Sequence, residues 1–81
     1  MDNRYIVIGR SSCPFCTLAL ELLEERAIEC VFLNYENSRE VLEDYKQFYD
    51  QETVPIILCN NLKTGHTKKV GGYSDLLEFI K

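Results

Sequence analysis

Short apolar runs alternate along this chain with segments whose apolar residues recur every three or four positions. The runs at 4–9, 30–35 and 56–59 predict strands, and the first, which is rich in β-branched and aromatic residues, predicts a buried one. A more polar fourth strand is expected over residues 66–70, after the turn-forming residues 60–65. The three remaining segments are amphipathic and predict helices. The predicted order of elements is therefore β-α-β-α-β-β-α.

The predicted helices are defined by their apolar faces and by their caps. Those faces consist of Phe15, Leu18, Ala19, Leu22 and Leu23 in the first helix, Val41, Leu42, Tyr45, Phe48 and Tyr49 in the second, and Leu76, Leu77, Phe79 and Ile80 in the third. Asn37 or Ser38 is expected to cap the second helix, with Asn37 and Glu40 resembling a capping box, and Ser74 is expected to cap the third. Pro14 is tolerated in a first turn, so the first helix begins at or just after Cys13.

Connection rules convert this order into a fold. A first β-α-β unit is expected to be parallel and right-handed, and the short connection after residue 59 predicts an antiparallel hairpin. The result is a mixed four-stranded sheet flanked by three helices in one α/β domain over residues 1–81, which is a thioredoxin-like arrangement.

Charge and composition exclude several classes of protein. The net charge is −4 and the basic residues are scattered apart from Lys68 and Lys69, which argues against binding nucleic acid through its phosphates. No apolar run approaches the roughly 20 residues of a membrane span. The start of the sequence, Met1 to Arg4, leads straight into a strand and predicts no signal peptide. We therefore expect a cytoplasmic protein, in which a Cys-x-x-Cys pair is more often catalytic or metal-binding than structural.

The Cys13-Pro14-Phe15-Cys16 segment carries the chemistry of thiol–disulfide exchange. A thiol at a helix N-terminus meets unpaired backbone N–H groups and the positive end of the helix dipole, and both favour the thiolate. Cys16 lies one helical turn further on, where it can attack a mixed disulfide formed on Cys13. Arg10 can add positive charge near this thiolate or hold an anionic substrate. The sequence therefore predicts Cys13 as nucleophile and Cys16 as resolving thiol.

Two other uses of the cysteines remain open from the sequence. A disulfide scaffold would pair Cys13 with Cys16 and Cys30 with Cys59. A structural zinc site would need Cys30, Cys59 or His66 in addition to the pair, and none of these belongs to a second Cys-x-x-Cys. Because Cys30 and Cys59 lie in apolar strands, we expect them to be buried, inert thiols, and we expect no metal.

Three blocks of this sequence resemble the signature blocks of glutaredoxins, in the right order and at about the right spacing. They are Cys13-Pro14-Phe15-Cys16, Thr53-Val54-Pro55 and the run Gly71-Gly72-Tyr73-Ser74-Asp75-Leu76. Thioredoxins normally carry Trp-Cys-Gly-Pro-Cys, and this chain contains no tryptophan. The resemblance implies a glutathione-dependent oxidoreductase that reduces glutathionylated proteins and protein disulfides, with glutathione as co-substrate.

The resemblance also implies a glutathione site distributed over these blocks. Pro55 is similar to the cis-proline of the family, and a cis bond would present the backbone of Val54 to the cysteine of glutathione, beside Thr53. Ser74 and Asp75, after Gly72, resemble the groups that hold the γ-glutamyl end. The glycine carboxylate is expected at Arg10 together with Lys46 or Gln47, a choice that the sequence leaves open.

Some features depart from the family pattern or leave the partner open. Glu52 stands where many members have a basic residue, so it should weaken glutathione binding or redirect preference to another partner. Residues 60–69 are expected to form a longer hairpin than usual, and Phe15 replaces a frequent tyrosine. Small bacterial or viral glutaredoxins of similar length include donors to ribonucleotide reductase, which makes that enzyme a candidate partner of a monomeric protein.

The alternatives to glutathione dependence belong to different classes. One is reduction by thioredoxin reductase, which Glu52 favours. Another is an iron–sulfur carrier ligated through Cys13 and glutathione, although such carriers usually show Cys-Gly-Phe-Ser. The last is a binding or scaffold role in which the thiols are incidental.

Overall fold

Seven elements make up the fold in the computed structural model, which describes residues 2–81. In chain order they are β1 (Asn3–Gly9), α1 (Pro14–Glu25), β2 (Cys30–Asn34), α2 (Arg39–Phe48), β3 (Ile56–Asn61), β4 (Thr67–Gly71) and α3 (Tyr73–Phe79). This order confirms the one predicted from the apolar pattern. None of the helices within residues 2–81 combines the length and apolar character needed to cross a membrane.

The four strands form one mixed sheet in the order β2-β1-β3-β4. β1 and β2 are parallel, whereas β3 is antiparallel to both β1 and β4. The parallel pair follows from the helix that joins its strands, and the antiparallel pair follows from the short turn after Asn61. The predicted mixed sheet and the extended hairpin are therefore both present.

The core lies on both faces of this sheet because successive strand residues point to opposite sides. On one face the buried cluster is formed by Tyr5, Val7, Ala19, Leu23, Ile57, Cys59 and Leu76. On the other it is formed by Ile8, Leu42, Ile56 and Leu58, beneath α2. Buried side chains therefore pack on both faces of the sheet at the end of β1. This packing fixes the position from which the Cys-x-x-Cys segment begins.

The apolar faces of all three helices differ from the prediction, because in α3 the predicted core residues Leu77 and Phe79 are exposed. Phe15 and Leu18 are exposed, and the buried residues of α1 are Cys16, Ala19 and Leu23. Phe48 is 79% exposed at the end of α2. Periodicity identified the helices but not the rotation of α1, because Cys16 takes a core position that hydropathy assigned to Phe15.

The start of α2 also corrects an expectation. Its N-cap is Ser38, and no side chain caps this end, so the Asn37–Glu40 capping box is absent. Asn37 instead lies in a turn closed by the N–H of Ser38, which donates to the carbonyl of Tyr35 at 3.0 Å. β2 correspondingly ends at Asn34, one residue before the predicted boundary.

Candidate active site

Cys13 occupies the N-cap of α1. The chain leaves β1 at Gly9 and makes a tight turn, in which the N–H of Cys13 donates to the carbonyl of Arg10 at 3.2 Å. The Sγ atom of Cys13 accepts the N–H of Cys16 at 3.3 Å. A sulfur in this position meets a backbone donor and the positive end of the helix, which are the two features expected to stabilise a thiolate.

Cys13 is also joined to the loop that precedes β3. Its thiol donates to the carbonyl of Val54, with Sγ and O separated by 3.8 Å, and only 6% of the residue is exposed. The sulfur therefore lies between the start of α1 and the Thr53-Val54-Pro55 block. Two of the three sequence blocks meet at this atom.

Cys16 lies directly behind Cys13 and is fully buried. Burial raises the pKa of its thiol to about 12, and the hydrogen bond with Cys13 acts in the same direction, whereas the backbone N–H of Arg10 opposes them. Because thiolates are the reactive form, Cys16 stays a protonated and unreactive thiol near neutral pH while Cys13 is reduced.

We therefore expect iodoacetamide at pH 8 to label Cys13 in the native protein and to leave Cys16 unlabelled. The difference should disappear in denaturant, where burial no longer raises the pKa of Cys16. Peptide mapping by mass spectrometry measures both sites in one sample. Equal labelling of the two cysteines in the native protein would contradict this assignment.

The loop before β3 is ordered by a residue that the sequence analysis did not single out. The side-chain amide of Gln51 donates to the carbonyl of Thr53 at 2.9 Å and to that of Pro55 at 2.8 Å. The Val54–Pro55 peptide bond is cis, as the resemblance implied. Gln51 thereby links both ends of the block, and no sequence pattern signals this role because it depends on the path of the loop.

A groove of about 520 Å³ runs between this loop and the start of α3. It is lined by Phe15, Gln51, Thr53, Val54, Pro55, Gly72, Tyr73, Ser74, Asp75 and Leu77. The rings of Phe15 and Tyr73 stand 6.0 Å apart across it. All six residues that the sequence analysis chose from the second and third blocks thus share one surface next to Cys13.

The start of α3 is built differently from the expectation. Its N-cap is Gly72, and Ser74 is an exposed residue inside the first turn rather than the cap. Asp75 performs the capping, since its Oδ2 atom accepts the N–H of Gly72 at 2.8 Å. Gly71 has φ +122°, and a Cβ atom there would collide with the Asp75 carboxylate.

Basic side chains meet in a smaller pocket of about 230 Å³. Arg10 and Lys46 line it together, and so does Arg39, which sequence reasoning missed. Arg39 and Lys46 are seven residues apart on α2 and share a face, a spacing that could have identified Arg39. The Lys46 ammonium is also paired with Glu43 at 3.1 Å.

Gln47 and Glu52 lie elsewhere. Gln47 is absent from the basic pocket, because a step of one residue turns a side chain by about 100° around a helix. It lines a separate cleft with Glu43, Lys46, Asp50, Gln51 and Glu52. Of the two alternatives for the glycine carboxylate, only Lys46 is brought together with Arg10, and the Glu52 side chain does not line the groove.

The other cysteines flank Tyr5 in the sheet. Cys30 and Cys59 are the partners of Tyr5 on its two sides, which places them two strand spacings, about 10 Å, apart. That distance is too long for a disulfide, and all four cysteines are free. Cys59 is buried as predicted, whereas Cys30 is only half-buried. Within residues 2–81, no three His, Cys, Asp or Glu side chains are grouped to hold a metal ion.

Comparisons with known proteins identify the family. The family model described as Glutaredoxin matches residues 5–62, which is more than half of the chain. A comparison with curated proteins gave no match.

Among solved structures, reduced Escherichia coli glutaredoxin is 27% identical with a TM-score of 0.64, and the match covers 95% of this chain and 92% of that one. Wheat glutaredoxin is 22% identical with a TM-score of 0.78, covering 94% of this chain and 68% of that one. A buckwheat glutaredoxin–glutathione complex is 19% identical with a TM-score of 0.73, covering 94% and 66%. The chain thus spans about two thirds of the length of the two plant structures, whose likeness shows the shared thioredoxin-like fold.

The family match, the shared fold and a Cys-x-x-Cys pair at the start of α1 agree with one another. The chain therefore belongs to the glutaredoxin family of thiol–disulfide oxidoreductases.

Proposed function

We propose that this protein uses glutathione to reduce glutathione mixed disulfides and protein disulfides, with Cys13 as nucleophile and Cys16 as resolving thiol. One observation carries the proposal: the Cys13 sulfur contacts both the N–H of Cys16 and the carbonyl of Val54, at the edge of the groove. A disulfide seated along the groove can therefore present one of its sulfurs to Cys13. The cytoplasm, where glutathione is abundant and reduced, is the compartment that suits this chemistry.

The monothiol route needs only Cys13. Its thiolate attacks the glutathione sulfur of a glutathionylated protein, the disulfide bond breaks, and the protein leaves as a thiolate that takes a proton from water. A second glutathione thiolate then attacks the glutathione sulfur now bonded to Cys13. Oxidised glutathione departs and the Cys13 thiolate is regenerated, so the enzyme returns to its starting state.

The dithiol route adds Cys16. After Cys13 has attacked a protein disulfide, Cys16 attacks the Cys13 sulfur, the second protein sulfur leaves, and a Cys13–Cys16 disulfide forms. Two glutathione molecules reduce it. Part of the rise in the pKa of Cys16 comes from Cys13 itself, through their hydrogen bond and charge. That part disappears once Cys13 is in a disulfide, so Cys16 becomes more reactive at the step that requires it.

The groove and the basic pocket supply groups of the right chemistry for the two ends of glutathione. Val54 offers backbone groups beside Cys13, while Asp75 at the start of α3 suits the γ-glutamyl ammonium. Arg10, Arg39 and Lys46 suit the glycine carboxylate. A related buckwheat glutaredoxin forms a complex with glutathione, which supports the same ligand here.

Replacing Lys46 with alanine should raise the KM for glutathione roughly threefold to tenfold and leave kcat nearly unchanged, because one charged contact to the glycine carboxylate is lost. Arg39→Ala should act in the same direction. Lys63→Ala is the matched control. It removes the same charge, and Lys63 lies in the turn between β3 and β4. A KM that changes equally in Lys63→Ala would assign the effect to net charge.

The proposal is tested by coupling the protein to glutathione, glutathione reductase and NADPH, with a small glutathione mixed disulfide as substrate. We expect NADPH oxidation that depends on both the protein and glutathione. If the protein turns over with thioredoxin reductase but not with glutathione, thioredoxin reductase is the reductant. This is the alternative that the acidic Glu52 favours. In that case Glu52→Lys should restore glutathione activity, whereas Glu40→Lys, an equal charge change at another exposed site, should not.

The protein partners are disulfide-containing or glutathionylated proteins, and ribonucleotide reductase is one candidate among them. Adding its disulfide form to the same coupled assay tests this partner directly. An iron–sulfur carrier would instead yield a coloured dimer after anaerobic reconstitution with iron, sulfide and glutathione. A colourless monomer would contradict that alternative.

A further inference from the structure

We propose that Glu36 is a positioning residue for Cys13, acting by holding the Arg10–Cys13 turn from its outer side. Glu36 lies in the connection between β2 and α2, outside all three sequence blocks. The inference rests on the proposed role of Cys13 as nucleophile.

The Glu36 carboxylate collects three donors from the turn. Its Oε1 atom accepts the N–H of Ser12 at 2.9 Å and the hydroxyl of Ser11 at 3.3 Å. Its Oε2 atom accepts the hydroxyl of Ser12 at 3.1 Å. Both serines are exposed, so no apolar packing fixes this side of the turn. The side chain is therefore bonded across to the active-site turn rather than to the first turn of α2.

Asn34 joins the two segments that Glu36 connects. Its Oδ1 atom accepts the N–H of Ser11 at 3.1 Å and the N–H of Glu36 at 3.0 Å. A single acceptor thus fixes the backbone of the turn and the backbone of Glu36 relative to each other. The carboxylate reaches Ser12 from a position that is itself held in place.

Three backbone N–H groups of the turn have partners in this arrangement. The N–H of Cys13 donates to the carbonyl of Arg10 at 3.2 Å. Ser11 donates to Asn34, and Ser12 donates to Glu36. The bond from Cys13 closes the turn within the backbone, whereas the other two bonds depend on the side chains of Asn34 and Glu36.

The geometry of Cys13 depends on this turn. As the N-cap, Cys13 must direct Sγ to the N–H of Cys16, and the backbone just before it decides whether it can. Small displacements of a reacting group can cost large factors in rate. The N–H of Ser12 also lowers the pKa of Glu36, so the carboxylate is ionised near neutral pH, the form that accepts all three bonds.

The test compares Glu36→Ala with Glu36→Gln, which remove the same charge but differ in hydrogen bonding. Glutamine keeps an oxygen for the N–H of Ser12 and an amide that donates to a hydroxyl. We expect the rate of Cys13 alkylation by iodoacetamide, followed by mass spectrometry, to be roughly threefold to tenfold lower in Glu36→Ala than in Glu36→Gln. The kcat/KM for a small mixed disulfide should fall by a similar factor, at a temperature where both variants are folded by circular dichroism.

Equal rates in the two variants would overturn the inference. If Glu36→Ala does not fold, the contact between Ser12 and Glu36 is tested with Ser12→Ala, Glu36→Gln and the double variant. Additive effects of the two substitutions on the rate of Cys13 alkylation would overturn the inference. Glu40→Ala controls for the loss of one exposed carboxylate nearby. Alkylation reports on the turn whether or not glutathione is the reductant, whereas full activity in Cys13→Ser would defeat the proposed function itself.

Discussion

Replacing Cys13 with serine should abolish turnover, with a loss of about a thousandfold or more, because a hydroxyl neither ionises nor attacks sulfur as a thiolate does. Serine still fits the N-cap and can accept the N–H of Cys16, so the fold should survive. The loss is measured in the glutathione-coupled assay, with circular dichroism to confirm folding.

Cys16→Ser is the matched control because it removes a sulfur three residues away. It should keep reduction of small glutathione mixed disulfides through the monothiol route and lose reduction of protein disulfides through the dithiol route. Trapped mixed disulfides with protein substrates should accumulate on Cys13 in this variant. Activity in Cys13→Ser would refute the assignment of Cys13 as nucleophile, and together with an inactive Cys16→Ser it would reverse the two roles. Inactivity of Cys16→Ser on both substrates would refute the assignment of Cys16 as a resolving thiol only.

Gly9→Ala should disrupt the packing directly behind Cys13. A Cβ atom at Gly9 would collide with the Sγ atom of Cys16, which is fully buried. Forcing an extra methyl group into packed surroundings costs about 1–3 kcal/mol, measurable as a lower free energy of unfolding in urea. Displacement of Cys16 should also slow formation of the Cys13–Cys16 disulfide.

The second arm of this experiment removes the colliding atom. In a Cys16→Ala background the methyl group gains the space that Sγ occupied, so Gly9→Ala should cost much less. A double-mutant cycle over the two positions therefore isolates their contact. The same cost in both backgrounds would show that Gly9 is needed for the strand and not for the resolving thiol.

The two cysteines and Gly9 differ in how much of their role follows from the sequence. Cys13 and Cys16 follow from a local pattern, a strand followed by a helix that opens with Cys-x-x-Cys, and the structure places them at that junction. Gly9 was visible only as the end of a strand. That it faces the sulfur of Cys16 depends on how α1 packs against β1, which is a tertiary property.

Residues of the proposed glutathione site divide in the same way. Thr53 to Pro55 and Gly72 to Asp75 belong to recognisable blocks and line one groove. The sequence predicts Ser74 as the cap of α3 because serine has a high local propensity for that position. In the structure Asp75 makes the capping bond instead, since its carboxylate accepts the N–H of Gly72, and local propensity does not include this contact. The choice between Lys46 and Gln47 needed the rotation of α2 relative to Arg10.

By itself, the sequence determined the order of the elements, the mixed sheet and the positions of Cys13 and Cys16, because these depend on short-range periodicity and on connection lengths. Only the tertiary structure decided which face of α1 is buried, that Cys30 and Cys59 are kept apart by Tyr5, and that Gln51, Arg39 and Glu36 reach their partners. Those contacts join residues on different elements, and the packing that brings them together has no local signature in the chain.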